Sequence, residues 1–382
     1  MIETSSKLPN IGTNIFTYIG KLANEYKAVN LSQGFPDFSP DPKLLQLAED
    51  ALKNGHNQYA PMQGTFTLRK TISEKIEELH GKSYHPEYEI TITAGATQAI
   101  FTSISTFVQQ DDEVIVLKPA YDCYEPVIEL FGGKIVPIQL EGPDFKMNWD
   151  TFKSVIGPKT KMVVINTPHN PTGTIWSKSD MLQLQEILKS TNIILLSDEV
   201  YEHIVFDGEE HQSAARFPDL ASRSIICSSF GKTFHVTGWK VGYCVAPKAL
   251  MQEFQKVHQF NVFCINHPMQ KALTEYLKTP KHYLGLNSFY QTKRDYFLKA
   301  IKDSKFKVIP SSGTYFQLLD YSEITDEKDI IFAEKLIRDH KLASIPVSVF
   351  NLDARDDRQL RFCFAKTEIV LDQAAQILNT IR

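Results

Sequence analysis

From residue 90 to residue 245, short β-branched runs alternate with helical patterns. The runs cover 90–93, 113–117, 134–138, 161–165, 192–196, 224–228 and 241–245. Helical patterns such as 97–109 and 179–190 separate most of them. This alternation predicts an α/β fold: a mainly parallel seven-stranded sheet covered by helices on both faces. In such a sheet, ligands belong at the carboxyl ends of the strands.

The flanks are organised differently. One helix is expected near 14–26. The stretch Leu31-Ser-Gln-Gly-Phe-Pro-Asp-Phe38 is a loop marked by Gly34 and Pro36. A helix from about residue 42 leads to Asn57-Gln-Tyr-Ala-Pro61, and an amphipathic helix runs from Gly64 to about residue 80. Beyond about 275 the pattern loosens. A long helix over 281–302 precedes two strand-like runs, Thr314-Tyr-Phe-Gln-Leu-Leu319 and Gln359-Leu-Arg-Phe-Cys-Phe364. The closing helix repeats Ile369, Gln373, Ile377 and Ile381 every fourth residue. A chain of 382 residues suffices for two domains. The expected division is a large domain at 40–275 and a smaller α+β domain built from 1–39 with 276–382.

A formal net charge of −4 implies no basic face for nucleic acid. The five cysteines are scattered, odd in number and never in a Cys-x-x-Cys, which fits reduced thiols in the cytoplasm rather than a disulfide frame or zinc site. No apolar run reaches membrane-spanning length.

Candidate functional residues fall at one strand end after another. Gly95-Ala-Thr97 follows the first run and opens a helix, whose free N–H groups and dipole favour an anion, although a plain helix start needs no ligand. Tyr121 follows Lys118-Pro-Ala. Asn166-Thr-Pro-His-Asn170-Pro-Thr-Gly173 follows the fourth run and also reads as an ordinary turn. Asp198 closes the fifth run, where a buried carboxylate needs a partner. His169 and His235 read as structural, and Asp198, Glu199 and His203 match no metal-ligand spacing.

The sixth and seventh runs flank Ser228-Ser-Phe-Gly-Lys-Thr-Phe-His-Val-Thr-Gly-Trp-Lys-Val-Gly242. A phosphate loop ending in Gly-Lys-Thr needs a glycine five residues before Gly231, and Ile226 stands there. A lysine at the end of a buried strand loses its proton readily and becomes a nucleophilic amine.

The stretch resembles the lysine site of the aspartate-aminotransferase superfamily, the fold-type I enzymes that use pyridoxal 5′-phosphate. Ser229, Lys232, Lys240, Val241 and Gly242 stand where that family has serine, lysine, a basic residue, a hydrophobic residue and glycine. Lys240 departs from the usual arginine: it keeps the charge but loses the bidentate fork. The wording of four further stretches is similar to the branch holding the kynurenine/glutamine and bacterial methionine aminotransferases. These are Asn30-Leu-Ser-Gln-Gly-Phe-Pro-Asp-Phe38, Tyr121-Asp-Cys-Tyr-Glu-Pro126, Ser197-Asp-Glu-Val-Tyr-Glu-His-Ile204 and His235-Val-Thr-Gly-Trp-Lys-Val-Gly-Tyr243.

The resemblance implies roles. Lys232 would carry the cofactor and act as general base. Asp198 would keep its pyridine nitrogen protonated, while Asn170 and Tyr201 reach its phenolic oxygen. Tyr121 would stack on its ring. Gly95, Ala96, Thr97, Ser229 and Lys240 would hold its phosphate, joined by Tyr59 from the other subunit of a homodimer. Arg361 and Gly34 would receive the substrate's α-carboxylate. We place Phe16, Tyr59, Phe263 and Tyr315 around the donor side chain. No second arginine matches one for a side-chain carboxylate, so the expected donors are methionine, aromatic and other neutral amino acids, with a 2-oxo acid as acceptor. Two other readings remain open here: β-elimination from sulfur-substituted cysteines on the same cofactor, and a protein of this fold that has lost its chemistry.

Overall fold

The structure is a computed structural model that describes residue 2 and residues 5–382. Its centre is a seven-stranded sheet: β1 (Ile90–Thr93), β2 (Glu113–Lys118), β3 (Lys134–Gln139), β4 (Thr160–Asn166), β5 (Ile194–Asp198), β6 (Ser224–Ser229) and β7 (Gly242–Val245). The spatial order is β1-β7-β6-β5-β4-β2-β3. Neighbours run parallel except around β7, which is antiparallel to both β1 and β6. Strand β5 is buried at every position and β4 at all but Lys161, as expected where helices cover both faces of a parallel sheet. The winding direction reverses between β2 and β4, the kind of crevice where such sheets take ligands.

Beyond this sheet, Lys307–Val308, Phe316–Asp320, Ile345–Pro346 and Gln359–Cys363 form a four-stranded antiparallel sheet. Near the N-terminus, Val29–Asn30 pairs in parallel with Leu342–Ala343. The next carbonyl, that of Leu31, accepts the Cys363 N–H at 2.7 Å. These contacts set Ser32 and Gly34 beside Arg361, more than three hundred residues away in sequence.

Three expectations shift. β5 runs through Ser197 and Asp198 rather than ending at residue 196. The helix expected over 281–302 is two, Lys281–Leu284 and Leu286–Ala300, meeting at Gly285, where glycine weakens helix continuity. Lys232 lies within a one-turn helix, Phe230–Thr233, that follows β6, and not at the strand's end. Among the described residues no helix is long and apolar enough to cross a membrane.

Candidate active site

A cavity of about 360 Å³ opens at the carboxyl ends of β4, β5 and β6. Every residue given a cofactor or substrate role above lines it except Tyr59, Phe263 and Tyr315. Gln33, Phe35, Ile100, Asn166, Val200, Thr237 and Phe316 line it too, none of them given a role of its own from the sequence.

The floor is built by strand ends. Asp198 is the last residue of β5; its Oδ1 accepts the Val200 N–H at 3.3 Å and its Oδ2 accepts the Tyr124 hydroxyl at 2.6 Å. Burial pushes its carboxyl up to about 6. Asn166, the last residue of β4, donates its amide to the Asp198 carbonyl at 2.9 Å and accepts the Asn170 N–H at 2.8 Å. The asparagine loop is thereby tied to the strand beside it. Burial also raises the Tyr201 phenol well above its ordinary value, so Tyr201 stays a hydrogen-bond donor.

Lys232 Nζ donates to the Gly34 carbonyl at 3.1 Å, and the Tyr315 hydroxyl donates to the same oxygen at 2.6 Å. The tyrosine is fully buried beneath the cavity. Desolvation lowers the Lys232 ammonium to about 8, so a fair fraction is free amine near neutral pH.

At one end, Lys240 reaches toward the start of the helix Gly95–Phe107. Gly95 sits at φ +74°, and a Cβ there would lie 3.3 Å from Lys240 Nζ. No side chain caps this helix start. At the other end, Arg361 is buried, with its guanidinium 3.9 Å above the Phe316 ring and 5.1 Å from that of Phe16. It donates to Asn170 Oδ1 at 2.6 Å and the Ser32 carbonyl at 3.2 Å, while its Nε has no partner. A buried guanidinium N–H without an acceptor costs free energy that an incoming carboxylate would recover. A Cβ on Gly34 would lie 2.6 Å from the Phe316 ring, so only glycine fits this approach.

Tyr59 and Phe263 stand apart. Tyr59 is 81% exposed and meets Phe263 edge to face, ring centroids 5.3 Å apart, outside this chain's cavity. Behind the site, Glu202 accepts from Lys75 at 2.7 Å, Ser228 at 2.7 Å and Tyr243 at 3.1 Å, anchoring β6 and β7 to the helix Phe66–His80. Among the described residues no group of three or more His, Cys, Asp or Glu is arranged to hold a metal ion.

These residues fit pyridoxal phosphate. Lys240 and an uncapped helix N-terminus suit a dianionic phosphate. A buried carboxylate suits a pyridinium, a partly deprotonated lysine suits an aldehyde, and the orphaned Nε of Arg361 suits a carboxylate.

Residues 26–378 match the family model "Aminotransferase class I and II". The chain is 44% identical to the methionine aminotransferase of Escherichia coli over 98% of both chains. It is 31% identical to kynurenine–oxoglutarate transaminase 1 of Rattus norvegicus, over 96% of this chain and 95% of that one. A crystal structure from Escherichia coli, whose reactivity identifies a methionine aminotransferase function, superposes with a TM-score of 0.97 at 43% identity, covering 100% of both chains.

Proposed function

This chain belongs to the class I and II aminotransferases and has their aspartate-aminotransferase-like fold, and we propose that it moves the amino group of methionine, aromatic or other neutral amino acids to a 2-oxo acid. The observation that carries the donor choice is the surroundings of Arg361. Among the described residues lining the cavity it is the only arginine, and aromatic rings flank it. An apolar side chain gains about 25 cal/mol per Å² buried against such walls, and sulfur packs well on ring edges. A second carboxylate would be desolvated and unpaired. The matched relatives are transaminases, which favours transfer over elimination from sulfur-substituted cysteines.

Pyridoxal phosphate supplies, when bound, an aldehyde reactive toward amines and a ring that draws electrons from the substrate's Cα. Lys240, Ser229, Thr97 and the N–H groups at Gly95 and Ala96 hold the phosphate. Tyr121 covers the ring, and Asn170 and Tyr201 meet its phenolic oxygen. Asp198, ionised, keeps a proton on the pyridine nitrogen. Arg361 grips the α-carboxylate bidentately beside the Gly34 backbone. The Lys232 amine, held at the Gly34 carbonyl, would act as general base, taking the proton from the substrate's Cα and returning it to the carbon that was the cofactor's aldehyde carbon. The second half runs these proton movements in reverse with the oxo acid. In this reading the protein works as a cytoplasmic homodimer, with Tyr59 completing the neighbour's phosphate site. Residues 40–275 form the cofactor domain, and 1–39 with 276–382 the smaller one.

Mixing cofactor-loaded protein with each amino acid singly, and following loss of the visible band, tests the donor choice. Methionine and aromatic amino acids are expected to bleach it with specificity constants well above that of aspartate. An aspartate value equal to or above methionine's overturns the reading.

A further inference from the structure

Tyr124 stands first in the helix Tyr124–Leu130 and is 3% exposed. The sequence gives no reason to choose it over any core aromatic. In the structure its hydroxyl makes one bond, to Asp198 Oδ2, at 2.6 Å. Its ring meets that of Tyr121 edge to face, centroids 5.9 Å apart. The ring proposed to cover the cofactor and the hydroxyl that holds its carboxylate partner therefore lie three residues apart on one segment.

We propose that Tyr124 is a positioning residue of the transamination reaction: its hydroxyl orients the Asp198 carboxylate and keeps it ionised for the pyridine nitrogen, a role that rests on the reading of Asp198 given above.

Burial alone drives Asp198 toward its neutral form, in which it could no longer hold a pyridinium. The Tyr124 hydroxyl, the Val200 N–H and the Lys232 charge oppose this, while neighbouring Glu199 adds to it. Glu199 is kept ionised despite burial by His211 and the Ala214 N–H. The remaining titratable groups around Asp198 stay protonated. Burial raises Tyr121, Cys123, Tyr124, Tyr201 and Cys227 above their ordinary values. Tyr124 is thus a donor across the working pH range, and a donor to an anion makes the stronger class of hydrogen bond. A tyrosine serving only as packing would lose little on replacement by phenylalanine, which fills the same space. Losing a bond to a charged acceptor should instead make the carboxyl about ten- to a hundredfold harder to ionise.

The test is Tyr124→Phe in the cofactor-loaded enzyme, with Asp198→Asn beside it. The expected result is an acid limb of the kcat/KM profile displaced upward by about one pH unit or more, with the pH titration of the bound cofactor's visible band moving likewise. The cofactor's dissociation constant should rise about tenfold or more. An unmoved limb and an unmoved titration, with Asp198→Asn crippled, overturn the role of Tyr124 and leave that of Asp198 standing. Asp198→Asn with normal rates overturns both. Should Tyr124→Phe fail to fold, 3-fluorotyrosine at position 124 keeps the shape and donates more strongly. It must move the limb downward, and no movement overturns the proposal.

Discussion

Arg361 Nη1 donates to Asn170 Oδ1 at 2.6 Å inside a buried site. One residue is proposed to face the substrate and the other the cofactor, and this bond makes them a unit. Arg361→Lys keeps the charge but cannot hold Asn170 and a carboxylate through one planar fork. The expected outcome is a KM for methionine raised about a hundredfold, with a smaller fall in kcat. Asn170→Ala leaves Nη1 without its acceptor, a loss of about 2 kcal/mol. The double variant should lose less than the sum of the two, because both changes break the same bond. Steady-state kinetics of the three variants check the coupling.

Asp198→Asn is expected to retain cofactor yet slow proton abstraction about 10²–10³-fold or more, the usual cost of losing a preorganised electrostatic partner. Single-turnover bleaching with methionine measures it. A rate near normal would reduce Asp198 to a cap for the turn at Val200.

The buried titratable groups predict a pH dependence of stability in the cofactor-free protein. Burial lowers Lys232 to about 8 from an unfolded value near 10.5. Between those values the unfolded chain binds the proton that the folded one does not, so stability falls as pH drops from about 10.5 to about 8 and is then level for this group. Asp198 has the opposite sign: with its carboxyl raised from 3.8 to about 6, stability falls as pH rises through that window. Lys232→Met should abolish transamination, flatten the alkaline slope and raise the cofactor-free Tm at pH 8. A slope unchanged in Lys232→Met would assign it to another group.

Gly95→Ala tests the phosphate end. It forces a side chain onto φ +74°, a strain of about 1–2 kcal/mol, and sets a methyl 3.3 Å from Lys240 Nζ. Cofactor affinity should fall about tenfold or more, read by equilibrium dialysis, while the sheet and its melting cooperativity persist. Lys240→Arg should tighten binding, since the fork can meet two phosphate oxygens at once.

Legibility in the sequence follows from how local each constraint is. Asp198, Asn170 and Lys232 sit at or just beyond the ends of β5, β4 and β6, so a reader who sees the strands sees them. The break at Gly285 was hidden because the apolar pattern continues across it. Tyr124 was hidden because its identity as a core aromatic explains it, and only the fold brings it to Asp198, 74 positions away. Phe316 escaped likewise: its stacking under Arg361 depends on strand register, with Leu318 opposite Arg361 in the small sheet. Glu202 shows nothing of its buried pairing with Lys75, 127 residues distant.

Tyr59 poses the remaining question, because a tyrosine 81% exposed in one chain is expected to serve a phosphate. A twofold dimer resolves this if each surface tyrosine enters the other subunit's cavity. Subunit mixing decides it. If the protein is a homodimer, Lys232→Ala dimers should be inactive and Tyr59→Ala dimers weak at limiting cofactor. In a shared arrangement, a mixed dimer carries both lesions in one site and neither in the other. Random exchange makes about half the dimers mixed, so about a quarter of all sites become wild type and activity rises above both parents. If each chain builds its own site, every site keeps one lesion, and mixing gives only the mean of the parents. Activity at that mean, with exchange verified by mass spectrometry, would return Tyr59 and Phe263 to being a surface pair.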